Sequence, residues 1–402
     1  MRDTQKKWRI SARIVILVIA AVFALQILPV TWLAVILPAL SPFLAVCSAI
    51  AVRSVCWLFL LCLPVLIISL FRNRWFCVNM CPTGLLTEFA GKLRPGSKSE
   101  FRKLPRLGPY VVLFALAGAL FGYPVFLWLD PLSVFNVFVS VWHKPIVLLN
   151  VLPGVGLIFI LVLSIWRPNA WCYRFCPLGF SQELLRKLII YIKKSFAVSP
   201  FRRSPVSFFM GRRLFFAALG GGIVGVAARK VLGREVFIRP PGSVEEGKFT
   251  SVCARCGNCV RVCPENIIHH DLGRTGLSGF WTPIIGIGAG YCNEWCNECN
   301  KVCPTNAIAH LSMKNKQSVS IGAAKVEKSL CLAWKENQHC MVCHEYCPYH
   351  AIKDIKEDNV PCPEVDPDIC RGCGLCQTVC PAKETAIIVR GKPQKRLKPV
   401  EL

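Results

Sequence analysis

The chain has 402 residues, a formal net charge of +25 and a hydrophobic fraction of 53%, and its apolar residues are concentrated in the first 230 positions. The Lys and Arg residues lie in blocks beside apolar stretches, which is typical of loops at a membrane face rather than of a nucleic-acid-binding groove. We therefore expect a membrane protein and exclude nucleic acid as a partner.

The first part, residues 1–198, contains long uncharged stretches that are typical of membrane-spanning helices. A bilayer is crossed by about 20 apolar residues, so the uncharged stretch 14–52 is too long for one helix and is divided by prolines. The predicted spans are residues 14–37, 45–71, 110–129 and 146–166. The sequence thus predicts an all-α polytopic membrane domain with four spans.

A short motif follows the second predicted span and is repeated after the fourth. Its members, each repeated 95 positions later, are Cys77, Cys81, Pro82, Gly84, Glu88 and Lys92 in the first copy and Cys172, Cys176, Pro177, Gly179, Glu183 and Lys187 in the second. Two such Cys-x3-Cys-Pro loops present four thiolates, which is enough to bind one iron–sulfur cube. Inert structural thiols are the alternative interpretation.

Two ionisable residues, Asp130 and His143, lie between the third and fourth predicted spans. At a membrane edge such residues can accept the protons of a quinol during its oxidation, which makes them candidate quinol-binding residues. The alternative for Asp130, which precedes Pro131, is that it caps a helix and begins a turn.

Residues 199–240 are predicted to form a linker with a fifth, shorter span at 214–228. The preceding pair, Arg212 and Arg213, resembles a twin-arginine export signal; the alternative is that it anchors a helix end. Lys and Arg are more frequent at the N-terminus and around both Cys-x3-Cys-Pro loops than in the turns between spans, which places those segments in the cytoplasm. If the fifth span crosses the bilayer, the rest of the chain lies on the outer face.

The last part, residues 241–402, carries four cysteine runs that each end in Cys-Pro. The runs are Cys253, Cys256, Cys259 and Cys263; Cys292, Cys296, Cys299 and Cys303; Cys331, Cys340, Cys343 and Cys347; and Cys370, Cys373, Cys376 and Cys380. The first and fourth runs have the spacing of bacterial ferredoxins, and the other two widen only the first gap. In such motifs three cysteines bind one [4Fe-4S] cube and the fourth reaches a neighbouring cube.

The repetition of one local pattern argues against structural zinc sites and against a disulfide framework. The sequence therefore predicts an α+β ferredoxin-like domain with four [4Fe-4S] clusters. It contains no nucleophile–base pair and no Gly-rich dinucleotide fingerprint, so we expect an electron-transfer protein without a catalytic site of its own.

These motifs resemble a known family. The membrane half, with its repeated Cys-x3-Cys-Pro loops, resembles the H-type membrane subunit of periplasmic nitrate-reductase systems, a module also present in regulators of nitrous-oxide reductase. The C-terminal half resembles the G-type ferredoxin partner of the same systems, through the Arg212–Arg213 pair, the Cys253 run and the split Cys331 run. Related modules serve methylamine oxidation. The chain thus resembles a fusion of an H-type and a G-type protein.

The resemblance implies electron transfer from menaquinol to a periplasmic oxidoreductase, by a multi-pass protein of the cytoplasmic membrane whose ferredoxin domain lies in the periplasm. Likeness to four-cluster subunits of respiratory enzymes implies that the first run shares cubes with the fourth, and the second with the third. Two alternatives remain: an iron–sulfur protein that matures or regulates a periplasmic metalloenzyme, and a scaffold in which the cubes only stabilise the fold.

Overall fold

A computed structural model of the protein describes residues 2–25, 33–93, 104–141, 152–197, 212–231, 237–288, 290–357 and 359–397. The chain divides into two compact units. Unit 1 comprises Met1–Val231, Ser251–Cys256 and Pro304–Asn306, and unit 2 comprises Leu232–Thr250, Gly257–Cys303 and Ala307–Leu402.

The described part of unit 1 is helical up to Val231. Its α-helices are α1 (Arg2–Leu25), α2 (Leu33–Ala39), α3 (Pro42–Val52), α4 (Phe59–Phe71), α5 (Trp75–Asn79), α6 (Pro82–Lys92), α7 (Gly108–Leu120), α8 (Pro131–Ser140), α9 (Val155–Trp166), α10 (Pro177–Ala197) and α11 (Arg212–Val231). Short 3-10 turns lie at Leu127–Leu129 and Leu152–Gly154, and a π-helical turn lies at Trp171–Phe175.

Several of these helices begin at a proline that follows a capping residue. Helix α3 begins at Pro42 behind Ser41, and α8 begins at Pro131 behind Asp130. Proline suits the first helical position because the N–H that it lacks has no partner within the helix, and the capping side chain accepts the next free N–H groups. Helix α3 ends at Val52, and the next residue, Arg53, has left-handed backbone angles. Caps and prolines thus divide the apolar sequence into short helices.

The prediction of an all-α polytopic membrane domain is wrong. Among the described helices none combines, on its own, the length and the apolar composition needed to cross a bilayer; only α2 and α3 meet the requirement jointly, and they are bent by 88°. Helices α4, α7 and α9 contain 13, 13 and 12 residues, whereas a span needs about 20. The sequence located the apolar segments and the break near Pro42, but not the further break after Val52, which lies inside the predicted span 45–71.

The predicted fifth span lies in α11, which packs against α7 within unit 1. The two backbones approach closely, because a Cβ atom on Gly221 of α11 would lie 2.3 Å from the carbonyl oxygen of Phe114 in α7. Glycine at position 221 allows the approach, since any side chain there would collide with the backbone of α7.

Unit 2 combines short helices with antiparallel strands, as predicted for the ferredoxin-like part. Strand β1 (Ile268–His270) pairs with β2 (Pro283–Ile285), β3 (Val319–Val326) with β6 (Ile387–Arg396), and β4 (Ile352–Glu357) with β5 (Val360–Val365). The helices are α12 (Glu246–Val252), whose last two residues belong to unit 1, α13 (Asn258–Arg261), α14 (Gly276–Gly279), α15 (Glu298–Lys301), α16 (Met313–Gln317), α17 (Leu332–Glu336), α18 (Val342–Glu345) and α19 (Leu375–Thr378).

Cysteines form part of the core of unit 2. One hydrophobic cluster joins Tyr349, Ile387 and Val389 to cysteines of the third and fourth runs. The loop of the fourth run lies directly on β3: Gly372 has φ +72°, and a Cβ atom there would lie 2.6 Å from the backbone of Gly322. The strands therefore position the cysteine loops.

Candidate metal centres

The third run and the last cysteine of the fourth run line one apolar cavity. The cysteines are Cys331, Cys340, Cys343 and Cys380, and the other lining residues are Val326, Leu332, Pro363, Pro381, Ala382, Ala386 and Ile387. Burial, with repulsion from the neighbouring thiols, raises the pKa of Cys343 to about 12. We call these four cysteines the third group. Four thiols around an apolar cavity are the surroundings that a [4Fe-4S] cube requires.

The fourth run forms a second set of four with the last cysteine of the third run. This fourth group consists of Cys347, Cys370, Cys373 and Cys376, which pack together in one hydrophobic cluster. The N–H of Ala351 donates to Cys347 Sγ at 3.3 Å, and the N–H of Ala324 donates to Cys370 Sγ at 3.5 Å. Burial raises the pKa of Cys373 to about 12. Backbone N–H donors stabilise thiolates, so they suit this group to bind a cube, whose iron atoms replace the thiol protons.

The second run is completed by the last cysteine of the first run. The second group consists of Cys263, Cys292, Cys296 and Cys299. Burial, followed by repulsion from Cys292 and Cys296 and more weakly from Cys263, raises the pKa of Cys299 well above its usual range. The other four motif cysteines, Cys253, Cys256, Cys259 and Cys303, are divided between the two units.

The exchange of fourth cysteines therefore occurs between neighbouring runs. Cys263 of the first run lies with the second, and the third and fourth runs exchange Cys347 and Cys380. The expectation that the first run shares with the fourth, and the second with the third, is wrong. All four runs end in the same Cys-Pro step, so the local sequence does not indicate which run receives the fourth cysteine of another. The packing of the strands determines it.

Sequence analysis missed a buried lysine beside the second group. Lys316 is 4% exposed, and its ammonium group donates to the carbonyl oxygen of Asn293. Burial raises the pKa of Cys292, and Lys316 opposes this through its charge and a hydrogen bond to the thiol. No motif marks Lys316, because it lies on α16, 13 positions beyond the last cysteine of the second run.

The two Cys-x3-Cys-Pro loops meet in unit 1. Cys81 and Cys176 are buried in one hydrophobic cluster, and Cys77 and Cys172 pack against it. We call these four cysteines the loop group. Cys77 lies in α5 and Cys172 in the π-helical turn, whereas Cys81 and Cys176 directly precede α6 and α10.

Reciprocal polar contacts join the two copies of the loop. Gln182 Nε2 donates to Cys77 Sγ at 3.2 Å, and Thr87 Oγ1 lies 3.4 Å from Cys172 Sγ. Thr87 and Gln182 are themselves 95 positions apart, so each occupies the same place in its own copy and contacts the first cysteine of the other. The repeat offset is the signal that could have identified them in the sequence.

Arg74 provides a further link between the copies. Its guanidinium donates to the carbonyl oxygen of Cys172 at 2.7 Å, and its Nε lies 2.8 Å from a carboxylate oxygen of Glu183. The repeat equivalent of Glu183, Glu88, pairs instead with Arg13 at 2.6 Å. Each of the two repeated glutamates thus forms an ion pair with an arginine near the loops.

Asp130 is fully buried and caps α8. Its carboxylate accepts hydrogen bonds from the N–H groups of Leu132 and Ser133 at 3.1 and 3.2 Å and from the Ser41 hydroxyl at 2.6 Å. This geometry is that of the alternative interpretation, a helix cap, and a role in accepting quinol protons stays a prediction. His143 lies outside the described residues.

The donor sets fit iron–sulfur cubes. All 24 cysteines lie within the described residues, and none of them forms a disulfide. The described part of the chain contains no three His, Cys, Asp or Glu side chains that converge on a single metal ion. A cube does not require such convergence, because each cysteine binds a different iron atom.

Comparison with known proteins agrees with this geometry. A family model described as a 4Fe-4S binding domain matches residues 55–99 and 149–195, which contain the two Cys-x3-Cys-Pro loops. A second model with that description matches residues 248–269 and 363–383, which contain the first and fourth runs. No solved structure matches the chain.

The chain is also similar to curated ferredoxin-type proteins. NapG of Escherichia coli is 32% identical over 199 residues, which cover 44% of this chain and 85% of NapG. The methylamine utilization protein MauM of Methylorubrum extorquens is 33% identical over 160 residues, 38% of this chain and 71% of MauM. The chain belongs to this family of ferredoxin-type proteins. The ferredoxin-type family includes NapF of Haemophilus influenzae, 31% identical over 147 residues, 36% of this chain and 76% of NapF.

Membership of the ferredoxin-type family indicates the general function of the protein. The protein is an iron–sulfur electron-transfer protein with multiple [4Fe-4S] clusters, and redox proteins are its partners. When bound, such clusters act as one-electron carriers. The residues of the chain supply the thiolates, donate hydrogen bonds to them and exclude water from them.

Proposed function

We propose that this ferredoxin-type protein carries electrons from menaquinol to an oxidoreductase on the periplasmic face of the cytoplasmic membrane, where it is anchored. The loop group supports the proposal: four matched cysteines in an apolar helical unit offer a cluster site near a lipid-soluble donor. In this proposal unit 1 has the role of an H-type subunit and unit 2 that of a G-type ferredoxin, fused in one chain.

The proposal also specifies how many clusters each chain binds. The sixteen cysteines of the four runs bind four [4Fe-4S] clusters, and the loop group binds a fifth. Each thiol must lose its proton when iron binds, and the backbone N–H groups and Lys316 compensate part of the resulting negative charge.

Iron and sulfide analysis of the anaerobically purified full chain tests the content. We expect about 20 iron atoms per chain, since each cube holds four, and about 16 in the double variant Cys172→Ser/Cys176→Ser. The control is Cys56→Ser, which changes a half-buried cysteine outside every group and should leave the iron content unchanged. Equal iron contents in the wild type and the double variant contradict a fifth cluster.

Electron donation is tested in membrane vesicles that contain menaquinol. We expect menaquinol to bleach the visible absorption of the clusters in the wild type, with at least tenfold slower reduction in the double variant. Clusters that dithionite reduces but menaquinol does not would contradict the donor while leaving the electron-transfer function intact.

The orientation is tested with protease added to right-side-out vesicles. The proposal predicts cleavage beyond residue 240, whereas protection of that region in intact vesicles, with cleavage after lysis, contradicts a periplasmic ferredoxin domain.

A further inference from the structure

The second and fourth cysteine groups meet at a peptide hydrogen bond. The N–H of Cys292 donates to the carbonyl oxygen of Cys373 at 2.8 Å, so a cysteine of one group is bonded through its backbone to a cysteine of the other. Their thiols are also close enough to interact electrostatically. The two residues are 81 positions apart, and they belong to motifs that do not exchange ligands.

A buried aromatic side chain lies at the same place. Tyr349 is 4% exposed and belongs to the hydrophobic cluster that contains the fourth group. Its hydroxyl is within electrostatic range of both Cys373 and Cys292. The contact between Cys292 and Cys373, which are themselves half-buried, therefore lies beside a buried aromatic side chain.

The fourth group also adjoins the third. Cys343 and Cys380 of the third group pack against the cluster that contains Cys347 and Cys376 of the fourth. The Cys376 thiol is within electrostatic range of the Cys343 thiol. The fourth group thus has a neighbour on each of two sides: the second group through Cys292 and the third group through Cys343.

We propose that the Cys292–Cys373 contact is the junction between the two ligand-exchanging pairs of runs, so that the groups stand in the spatial order second, fourth, third. This order differs from the order along the chain. The inference rests on the proposed electron-transfer function and deepens it: the fourth group, encoded last, occupies the middle of this part of the protein, and the third group stands at one end.

Electron paramagnetic resonance of the full chain, reduced with excess dithionite, tests the order. Magnetic coupling between reduced clusters falls steeply with their separation, so only clusters in neighbouring groups should broaden each other's signals. One ligand of each group is replaced in turn: Cys296→Ser in the second, Cys340→Ser in the third and Cys376→Ser in the fourth. We expect the loss of the fourth cluster to abolish the broadening of the third signal and to remove the fourth cluster's contribution to the broadening of the second signal, which the first cluster continues to broaden.

The remaining variants make the prediction specific. Loss of the third cluster should leave the coupling between the second and fourth clusters intact. Loss of the second cluster should leave the coupling between the third and fourth clusters intact. The control Cys362→Ser changes a buried cysteine outside the groups and should reproduce the wild-type spectrum. If Cys376→Ser does not accumulate, Cys347→Ser removes a ligand of the same group and makes the same comparison.

Persistent coupling between the second and third signals after loss of the fourth cluster would overturn the proposed order. Because dithionite is the reductant, the result does not depend on menaquinol or on a periplasmic partner. A failure of the order is therefore distinguishable from a failure of the proposed function.

Discussion

Lys316 places a buried positive charge beside the second cysteine group. A reduced cluster carries one more negative charge than an oxidised one, so a nearby cation stabilises the reduced state and raises the reduction potential. The charge is desolvated, since the side chain is buried on α16, and salt therefore screens it little.

Replacing Lys316 by Met should lower the potential of the second cluster by about 60 to 120 mV. The expected loss is about 1.4 to 2.8 kcal/mol of electrostatic stabilisation, and about 59 mV corresponds to 1.4 kcal/mol for a one-electron couple. A redox titration followed by electron paramagnetic resonance measures the change. Lys314→Met is the matched control, because Lys314 is exposed on the same helix. Equal shifts in both variants would assign the effect to net charge rather than to Lys316.

Asp130 allows a second test at the residue scale. Asn is as good a helix cap as Asp, but it does not accept a proton at neutral pH. If Asp130 takes protons from the quinol, Asp130→Asn should slow cluster reduction by menaquinol about 100-fold, while the iron content and the melting temperature remain near the wild-type values. An unchanged rate would leave Asp130 with the role of a cap alone.

At the scale of elements, the two Cys-x3-Cys-Pro loops are equivalent in sequence but not in packing. A Cβ atom on Gly84 would lie 2.9 Å from the carbonyl oxygen of Cys77, which is backbone. On the equivalent Gly179 it would lie 3.4 Å from the guanidinium carbon of Arg74 and 3.5 Å from the carbonyl oxygen of Cys172, which are ordinary contact distances. The first loop therefore tolerates less change than the second.

Gly84→Ala should accordingly destabilise unit 1 by about 1 to 3 kcal/mol and lower the occupancy of the loop group, because the loop must move. Gly179→Ala should change the stability by less than about 1 kcal/mol, since alanine also favours the helix. Thermal unfolding and iron analysis measure both variants side by side. An equal loss in the two would contradict the packing difference.

At the scale of the whole molecule, unit 2 depends on its cysteine groups for a core. Each of its described sheets has two strands, and a two-stranded sheet is marginally stable in water by itself. Its main hydrophobic cluster is built partly from the cysteines of the third and fourth groups. Cluster binding and folding of this unit should therefore be coupled.

Removal of iron by an anaerobic chelator should unfold unit 2. We expect the loss of its strand signal in circular dichroism and rapid proteolysis between residues 257 and 397. Restoring iron and sulfide under reducing conditions should restore the resistance of unit 2 to proteolysis. An iron-free chain that keeps its protease resistance would show that the strands and helices are sufficient for the fold.

The sequence by itself determined the candidate ligands, since the spacing of the cysteine runs and the 95-residue repeat are local patterns that chemistry constrains tightly. It misled on the helices of unit 1, because hydropathy averages over residues such as Arg53, which follows the end of α3 inside the predicted span 45–71. Only the tertiary structure decided which runs exchange their fourth cysteine, which groups adjoin and that Lys316 lies beside one of them. These are contacts between segments far apart in the chain, and four nearly identical motifs carry no local signal that distinguishes one partner from another.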